Sequence, residues 1–254
     1  MFICIAGKNR CSVEVLKHLL KIKFKKKKIL VLPNNHDNGK DDWQPSLKRY
    51  AKNNDIKILN LHELYKIEHL YFFSLEYEKI IDIKKFKSKN LFNFHFSLLP
   101  KYRGCHTNYL QLVKGEKHSG VTLHKINSGI DTGDIVSQYK FKIKINDTAL
   151  DNYERLMSCS IKLFKKSLTQ ILKKKYTLKK QKLSEGSYFD RKSVNYNNKL
   201  TINLKKASLE DHNRIRSLIF PAYQYPFVNG SKIVKSVYKN KKIYLTATSD
   251  YKSK

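Results

Sequence analysis

Disulfide chemistry is the first thing this sequence leaves out. It has four cysteines, Cys4, Cys11, Cys105 and Cys159, and no two of them stand in a Cys-x-x-Cys pair. That spacing excludes a disulfide-stapled scaffold and argues against a cysteine-built zinc site, so no metal is expected; reduced thiols in a cytoplasmic protein are the expectation. Long hydrophobic runs are also missing, so no membrane-spanning helix is expected. The opening MFICIAGKNR is apolar only briefly, carries no basic region ahead of that stretch, and runs into a glycine. It reads as a first β-strand and not as a secretion signal. Proline and glycine are scarce, at 5 and 9 residues, and no Gly/Ser or Pro linker or internal repeat is present. A chain of 254 residues with that texture forms one large domain, or one domain and an appendage, and buries an ordinary core without staples.

Acidic residues are scarce too. Asp and Glu number 21 against 52 Lys and Arg, a formal net charge of +31. Such a balance usually points to nucleic acid or an anionic membrane surface. Here the excess is almost all Lys, scattered through stretches such as KIKFKKKK, IDIKKFKSK and LKKKYTLKKQK. Compositional bias with solvated faces is the favoured reading, and the same field would steer an anionic small substrate. Neither a nucleic-acid partner nor membrane insertion is expected.

What is present is an alternation of strand and helix signals. FICIAG (2–7), KILVLP (28–33), IKILNL (56–61), YFFS (71–74) and LFNFHF (91–96) read as strands; SVEVLKHLLKI (12–22), with Ser12 as its cap, and SLKRYAKNN read as helices. HTNYLQLVKG continues as a helix, HSGVTLHKI and DIVSQYKFKI as strands, and residues 148–175 as the longest helix. Alternation of this kind implies βαβ units and a mostly parallel sheet. After about residue 185 the texture changes to short strands (YFDRKSV, KLTINLK), a helix over 208–220 capped by Ser208 with Asp211 at the capping-box position, and hairpins in PFVNGSKIVKSVYKNKKIYLTA with Asn-Gly as a turn. The expected fold is α/β: a Rossmann-like, mostly parallel sheet with flanking helices over 1–185, and a small C-terminal α+β hairpin region over 186–254.

Four stretches carry chemistry. GKNR (7–10) joins strand to helix, a junction that offers backbone N–H groups at the carboxyl edge of a parallel sheet; Lys8 and Arg10 tilt it toward an anion. In NFHFSLLPKYRG (93–104), Asn93 and His95 share one strand face while Phe92, Phe94 and Phe96 take the other. SGIDTGDIV (128–136) brackets Asp131 with glycines. SLEYEKII (74–81) follows an apolar strand and is either one helical turn beside a pocket or a connector.

In combination, Asn-x-His, SLLP-x-YRG and GxDTGxI resemble the folate-dependent formyltransferase family, most closely its nucleotide-sugar N-formyltransferases. The resemblance spans roughly residues 1–180 and is strongest over 90–138. It implies a catalytic trio of Asn93, His95 and Asp131, and 10-formyltetrahydrofolate as donor in attack of an amine on the formyl carbon. An Asn amide suits a developing oxyanion. A His suits proton relay near neutrality. An Asp orients the imidazole or accepts a proton through water. The resemblance places the pterin against Phe73, Ser74, Tyr77 and Ile80, with Ser128, Gly129, Asp131 and Gly133 closing the other side. The tail is too short for the RNA-binding domain that the resemblance implies for methionyl-tRNA formyltransferases, which argues against a tRNA-borne amine; the positive charge alone keeps that amine as the alternative acceptor. A dTDP-linked amino-dideoxy sugar is the expected acceptor, with 4-amino-4,6-dideoxyglucose slightly preferred over the 3-amino isomer. The product would serve surface polysaccharide (O-antigen) synthesis, and a homodimer through the tail hairpins is expected. Acceptor contacts are expected from Lys8, Asn9, Arg10, Asn34, Asp37, Trp43, Gln44, Tyr102, Arg103, Gly104, Tyr223 and Tyr225, with Arg214 and Arg216 as further pyrophosphate candidates. The stretch GCHTN after Arg103 departs from a proline common in relatives, which bears on acceptor choice.

Overall fold

A computed structural model describes residues 1–248. In chain order the elements are β1 (Phe2–Gly7), α1 (Asn9–Lys21), β2 (Ile29–Pro33), α2 (Leu47–Asn53), β3 (Lys57–Ile58), α3 (Leu61–Tyr65), β4 (Leu70–Leu75), β5 (Asn90–His95), β6 (Arg103–Gly104), α4 (Thr107–Val113), β7 (His118–Lys125), β8 (Ile135–Lys142), α5 (Ala149–Leu172), β9 (Tyr188–Phe189), β10 (Lys199–Leu200), α6 (Leu209–Ser217), β11 (Phe227–Val228), β12 (Ser231–Lys239) and β13 (Lys242–Ala247). They form two compact units: residues 1–103, 120–139 and 157–187 make the first, and 104–119, 140–156 and 188–248 belong to the second.

The first unit is built on a seven-stranded sheet of order β3-β2-β1-β4-β5-β7-β8. The pairs from β3 through β5 are parallel, and β5 meets β7 antiparallel. β1 and β4 are apolar without alternation because both faces of a parallel sheet are covered. On one face Cys4, Leu30, Phe72 and Leu91 pack with Leu64 and Phe86. On the other, Phe73 stacks on Phe92 with ring centres 5.4 Å apart, and Phe164 of α5 meets Phe73 edge-on at 5.1 Å. Such aromatic pairs each add about 0.5–1.5 kcal/mol beyond area burial.

Several boundaries differ from the expectation. Helix α1 starts at Asn9, so Ser12 lies inside its first turn and does not cap it; its hydroxyl donates to Lys8 O at 2.6 Å. The earlier start is possible because Gly7 turns the chain at φ +147, where an added Cβ would stand 1.9 Å from Leu75 O. The 56–61 strand shrinks to Lys57–Ile58, because Asn60 already forms a capping box with Glu63 for α3. SLEYEKII is a connector and not a helical turn.

The second unit holds a four-stranded sheet of order β10-β11-β12-β13. Asn229 (φ 49) and Gly230 (φ 85) make the tight turn before β12, and Asn240 and Lys241 (φ 51 and 59) the turn before β13. α6 begins with the expected Ser208/Asp211 capping box and buries Ile215 against Leu200, Ile202, Val228 and Ile233. Its Arg216 is only 2 % exposed. That guanidinium donates to Asn213 Oδ1 at 2.8 Å and Asp147 O at 2.9 Å, and burial lowers its pKa to about 10. Arg216 is a structural residue here, a correction to its candidacy for pyrophosphate. Among the described residues no helix is long and apolar enough to cross a membrane.

Candidate active site

Strand register assembles the site in the first unit. Ser74 pairs with Asn93, and Asn93 with His124, so three adjacent strands present these side chains on one face. His95 stands two residues further along β5. Asp131 reaches the same place from the loop between β7 and β8.

The contacts within the cluster run from 2.6 to 3.4 Å. Asn93 Nδ2 lies 3.2 Å from Asp131 Oδ1 and 3.2 Å from His124 Nε2. His95 Nδ1 lies 3.3 Å from Asp131 Oδ2, and His124 Nε2 lies 3.4 Å from Asp131 Oδ1. His95 Nε2 donates to Tyr102 O at 2.6 Å, and His124 Nδ1 donates to Lys125 O at 2.7 Å. A carbonyl oxygen only accepts, so each of these contacts assigns a proton to that ring nitrogen. In the neutral tautomers, His95 Nδ1 then faces Asp131 as a lone pair, and His124 Nε2 accepts from the Asn93 amide. A proton delivered between His95 Nδ1 and Asp131 has an acceptor on either side. Three polar residues and a carboxylate, with His95 7 % and His124 2 % exposed, thus form a preset acid–base cluster with an amide donor attached.

The backbone around the cluster is unusual. Asn9, Glu76, Tyr102 and Asp131 all have positive φ, between 53 and 59. Side chains with a Cβ pay about 1–3 kcal/mol each for such conformations, and these accumulate at functional sites. Gly133 lets the Asp131 loop press on β7: a Cβ there would stand 1.7 Å from Lys125 O. Gln181 clamps the same loop, donating from Nε2 to Asp131 O at 2.9 Å and to Gly133 O at 2.7 Å. His124 and Gln181 escaped the reading of the sequence. His124 is signalled only by its pairing opposite Asn93, and Gln181 by nothing local.

The residues expected to contact the folate fall as follows. Phe73 is fully buried on the opposite sheet face, so its side chain serves the core. Ser74 is buried on the Asn93 side. Tyr77 is half-buried, and desolvation, then Glu78, pushes its phenol up to about 12. Ile80 is 80 % exposed and Ile130 41 % exposed, each on a loop that follows a strand of the cluster. Ser128 and Gly129 are exposed in the second of those loops, where Gly129 N donates to Asn127 Oδ1 at 3.2 Å.

The residues expected to contact the acceptor divide. Asn9 is buried and its amide donates to Glu76; Arg10 N donates to Gln44 Oε1 at 3.0 Å, and Arg10 Nη2 to Ser158 Oγ at 3.3 Å. Lys8 is half-buried at the helix start. Asn34 is spent on the loop after β4, with Nδ2 on Glu76 O at 3.0 Å and Oδ1 accepting from Glu78 N at 3.3 Å. Asp37 accepts from Gly39 N, Ser46 Oγ and Lys48 N at 3.1, 2.5 and 2.9 Å, so it pins its own loop. Trp43 is 38 % exposed. The Tyr102 amide donates to Ser187 Oγ at 2.8 Å, and Arg103 Nε is buried without a hydrogen-bond partner. In the second unit, Gly104 (φ 87) packs against Phe189 O, Tyr223 is exposed with its ring 5.1 Å from Phe220, and Tyr225 lies under the Lys232 ammonium at 4.8 Å. Arg214 is exposed beside Asp211 at 3.8 Å.

Comparison with known proteins adds four findings. The formyl transferase family model matches residues 3–168. An N-formyltransferase from Helicobacter canadensis, solved with folinic acid and dTDP-3-aminofucose, is 48% identical with a TM-score of 0.90, over 94% of this chain and 89% of that one. WlaRD, a sugar 3N-formyl transferase solved with dTDP and 5-N-formyl-THF, is also 48% identical at TM-score 0.90, over 94% and 87%. The bifunctional polymyxin resistance protein ArnA of Wigglesworthia glossinidia brevipalpis is 34% identical over 223 residues, 82% of this chain. The chain spans only 34% of that curated relative's length.

Proposed function

This chain belongs to the formyl transferase family, and from that premise we propose that it moves a formyl group from 10-formyltetrahydrofolate to the 3-amino group of a dTDP-linked dideoxy sugar. What carries the reading is the Asn93–His95–Asp131 cluster with the His95 tautomer set by Tyr102 O. The 3-amino position replaces the slight preference for a 4-amino sugar, because two relatives at 48% identity are described with 3-amino chemistry.

The residues fit the folate co-substrate. The two exposed isoleucines, Ile80 and Ile130, are apolar surface that a flat heteroaromatic ring would cover. Ser74 and the 128–133 loop supply polar and backbone groups. The co-substrate supplies the formyl carbon and, in its amine, the leaving group. Asn93 turns an amide hydrogen to the formyl oxygen as that oxygen gains charge; one such donor is worth about 3–4 kcal/mol in the transition state. His95 Nδ1 receives the proton that the attacking sugar amine loses, and Asp131 holds the imidazolium that results. The same proton then goes to the departing amine. The unpaired Nε of Arg103 suits the diphosphate of the acceptor.

The tail from residue 186 is taken to form a homodimer; light scattering showing a monomer would remove that reading. The deciding assay is formyl transfer with dTDP-linked 3-amino and 4-amino sugars offered side by side. Turnover of the 3-amino sugar at least tenfold above the 4-amino one supports the proposal. Formylation of charged initiator tRNA, with neither sugar turned over, would overturn it.

A further inference from the structure

The first unit contains a cavity of about 450 Å³ whose walls include no residue of the cluster above. It lies between the start of β8, the last turns of α5 and the chain leaving that helix. Lys166, Lys174 and Lys175 line it together with Ser137, Ser167 and Thr177, and no acidic residue does. Among the described residues none of these three ammonium groups has an ion pair. The negative end of α5 does not account for them. Its last carbonyls are closed by backbone: Lys173 N–H on Thr169 O at 3.0 Å, Lys174 N–H on Ile171 O at 3.0 Å, and Lys175 N–H on Gln170 O at 2.8 Å, with Lys174 left-handed at φ 55. Three like charges lining one polar cavity repel, and a multivalent anion relieves that cost. A volume of this order holds a small ligand, and ammonium groups with hydroxyls are a phosphate-binding set.

The chain that forms the cavity rim also reaches the active cluster. Lys179 exchanges backbone hydrogen bonds with Ile135 at 2.8 and 2.9 Å, and Gln181, two residues on, grips the carbonyls of Asp131 and Gly133. We propose that this cavity is an effector site for a multiply charged phosphate group, which ties the 174–177 segment to β8 and α5 and thereby steadies the Asp131 loop through Gln181. The coupling rests on the functional reading of Asp131; the binding does not.

The test titrates the full chain calorimetrically with inorganic pyrophosphate at physiological salt, comparing wild type with Lys166→Gln/Lys174→Gln. Lys205→Gln/Lys206→Gln, an equal charge change in the second unit, controls for the overall +31 charge. The cavity pair should weaken binding at least tenfold and the control pair less than threefold. Equal losses in both, or no binding to wild type at millimolar pyrophosphate, would overturn the site. Residual binding at the acceptor site is recognised by its indifference to the cavity pair. A parallel titration with ADP reads the source of the phosphate: tighter binding than pyrophosphate, lost in the cavity pair, supports a nucleotide, and equal or weaker binding an inorganic polyphosphate. Hydrogen exchange of residues 128–134 should slow on pyrophosphate addition in wild type and not in the cavity pair. Binding without that slowing overturns the coupling. None of these readouts needs formyl transfer, so they succeed or fail apart from the catalytic proposal.

Discussion

Replacing His124 by Leu tests the cluster at the point least visible in the sequence. The substitution removes both ring nitrogens at a position 2 % exposed. Lys125 O loses its donor and Asn93 Nδ2 loses one of its two acceptors. Asn93 keeps Asp131 Oδ1 at 3.2 Å, so it is loosened and not released. Full loss of an oxyanion donor costs about 2.7–4 kcal/mol, which sets the ceiling. An orienting hydrogen bond is worth about 0.5–1.5 kcal/mol, which sets the floor. The expected loss is therefore about 1–2 kcal/mol, roughly 5- to 30-fold in kcat. KM for both substrates should move less than about threefold, since a side chain this buried touches neither. His124→Gln can still accept from Asn93 and should retain most of the rate. Retention of the rate in His124→Gln against its loss in His124→Leu separates orientation of Asn93 from mere packing. Steady-state kinetics with unchanged near-UV circular dichroism decides. A His124→Leu enzyme within twofold of wild-type kcat, or one whose whole loss sits in KM, would refute the reasoning.

Further outcomes follow from the same geometry. His95→Ala should lower kcat by about 10²–10⁴-fold, the range for a lost general acid–base group; full transfer surviving in both His95→Ala and Asp131→Ala would sink the catalytic assignment. Gly133→Ala forces a Cβ to 1.7 Å from Lys125 O, so the Asp131 loop must shift; kcat should fall at least tenfold, read together with a lower melting temperature. His212 is fully buried, with Nε2 donating to Ile145 O at 2.9 Å and Nδ1 accepting from Ser236 Oγ at 2.8 Å. Desolvation lowers its pKa below the ordinary histidine value, with Arg216 adding to the effect against the Ile145 bond. Its neutral form is thus favoured in the fold and the unfolded chain takes the proton first, so its contribution is complete above the ordinary value near 6.5 and is lost as pH falls from there toward the folded pKa. Urea midpoints at pH 7.5 and 5.5 should differ in wild type and converge in His212→Gln.

The sheet and its strands were legible because their signal is local. Runs such as FICIAG and ILVLP are apolar on both faces, and turn residues end them; Asn93 and His95 could be placed on one face from period alone. Asp131 required the resemblance, since a Gly-Asp loop by itself is an ordinary turn. His124 and Gln181 depend on long-range pairing: His124 becomes a partner of Asn93 only once β7 runs antiparallel beside β5. The 33–47 loop shows a different obstacle. Asn34 and Asp37 have the side chains a sugar site would use, yet both are consumed in holding backbone N–H groups and carbonyls nearby. Composition cannot distinguish a polar residue that serves its own loop from one that serves a ligand. Arg216 was misjudged for the same reason, since a charge in a helix reads as exposed until its burial is seen.

The strained positions explain why those loop residues are spent internally. Asn9, Glu76, Tyr102 and Asp131 each hold a left-handed backbone, and each such conformation costs about 1–3 kcal/mol unless its surroundings fix it. The fixing contacts are the ones observed. Asn9 is bonded to Glu76, whose carbonyl accepts from Asn34. The Tyr102 amide is held by Ser187, while its carbonyl receives the His95 proton. The Asp131 loop is gripped by Gln181 and pressed on β7 at Gly133. The polar groups around the cluster are therefore better understood as holding two imidazole tautomers in place than as a surplus of substrate contacts.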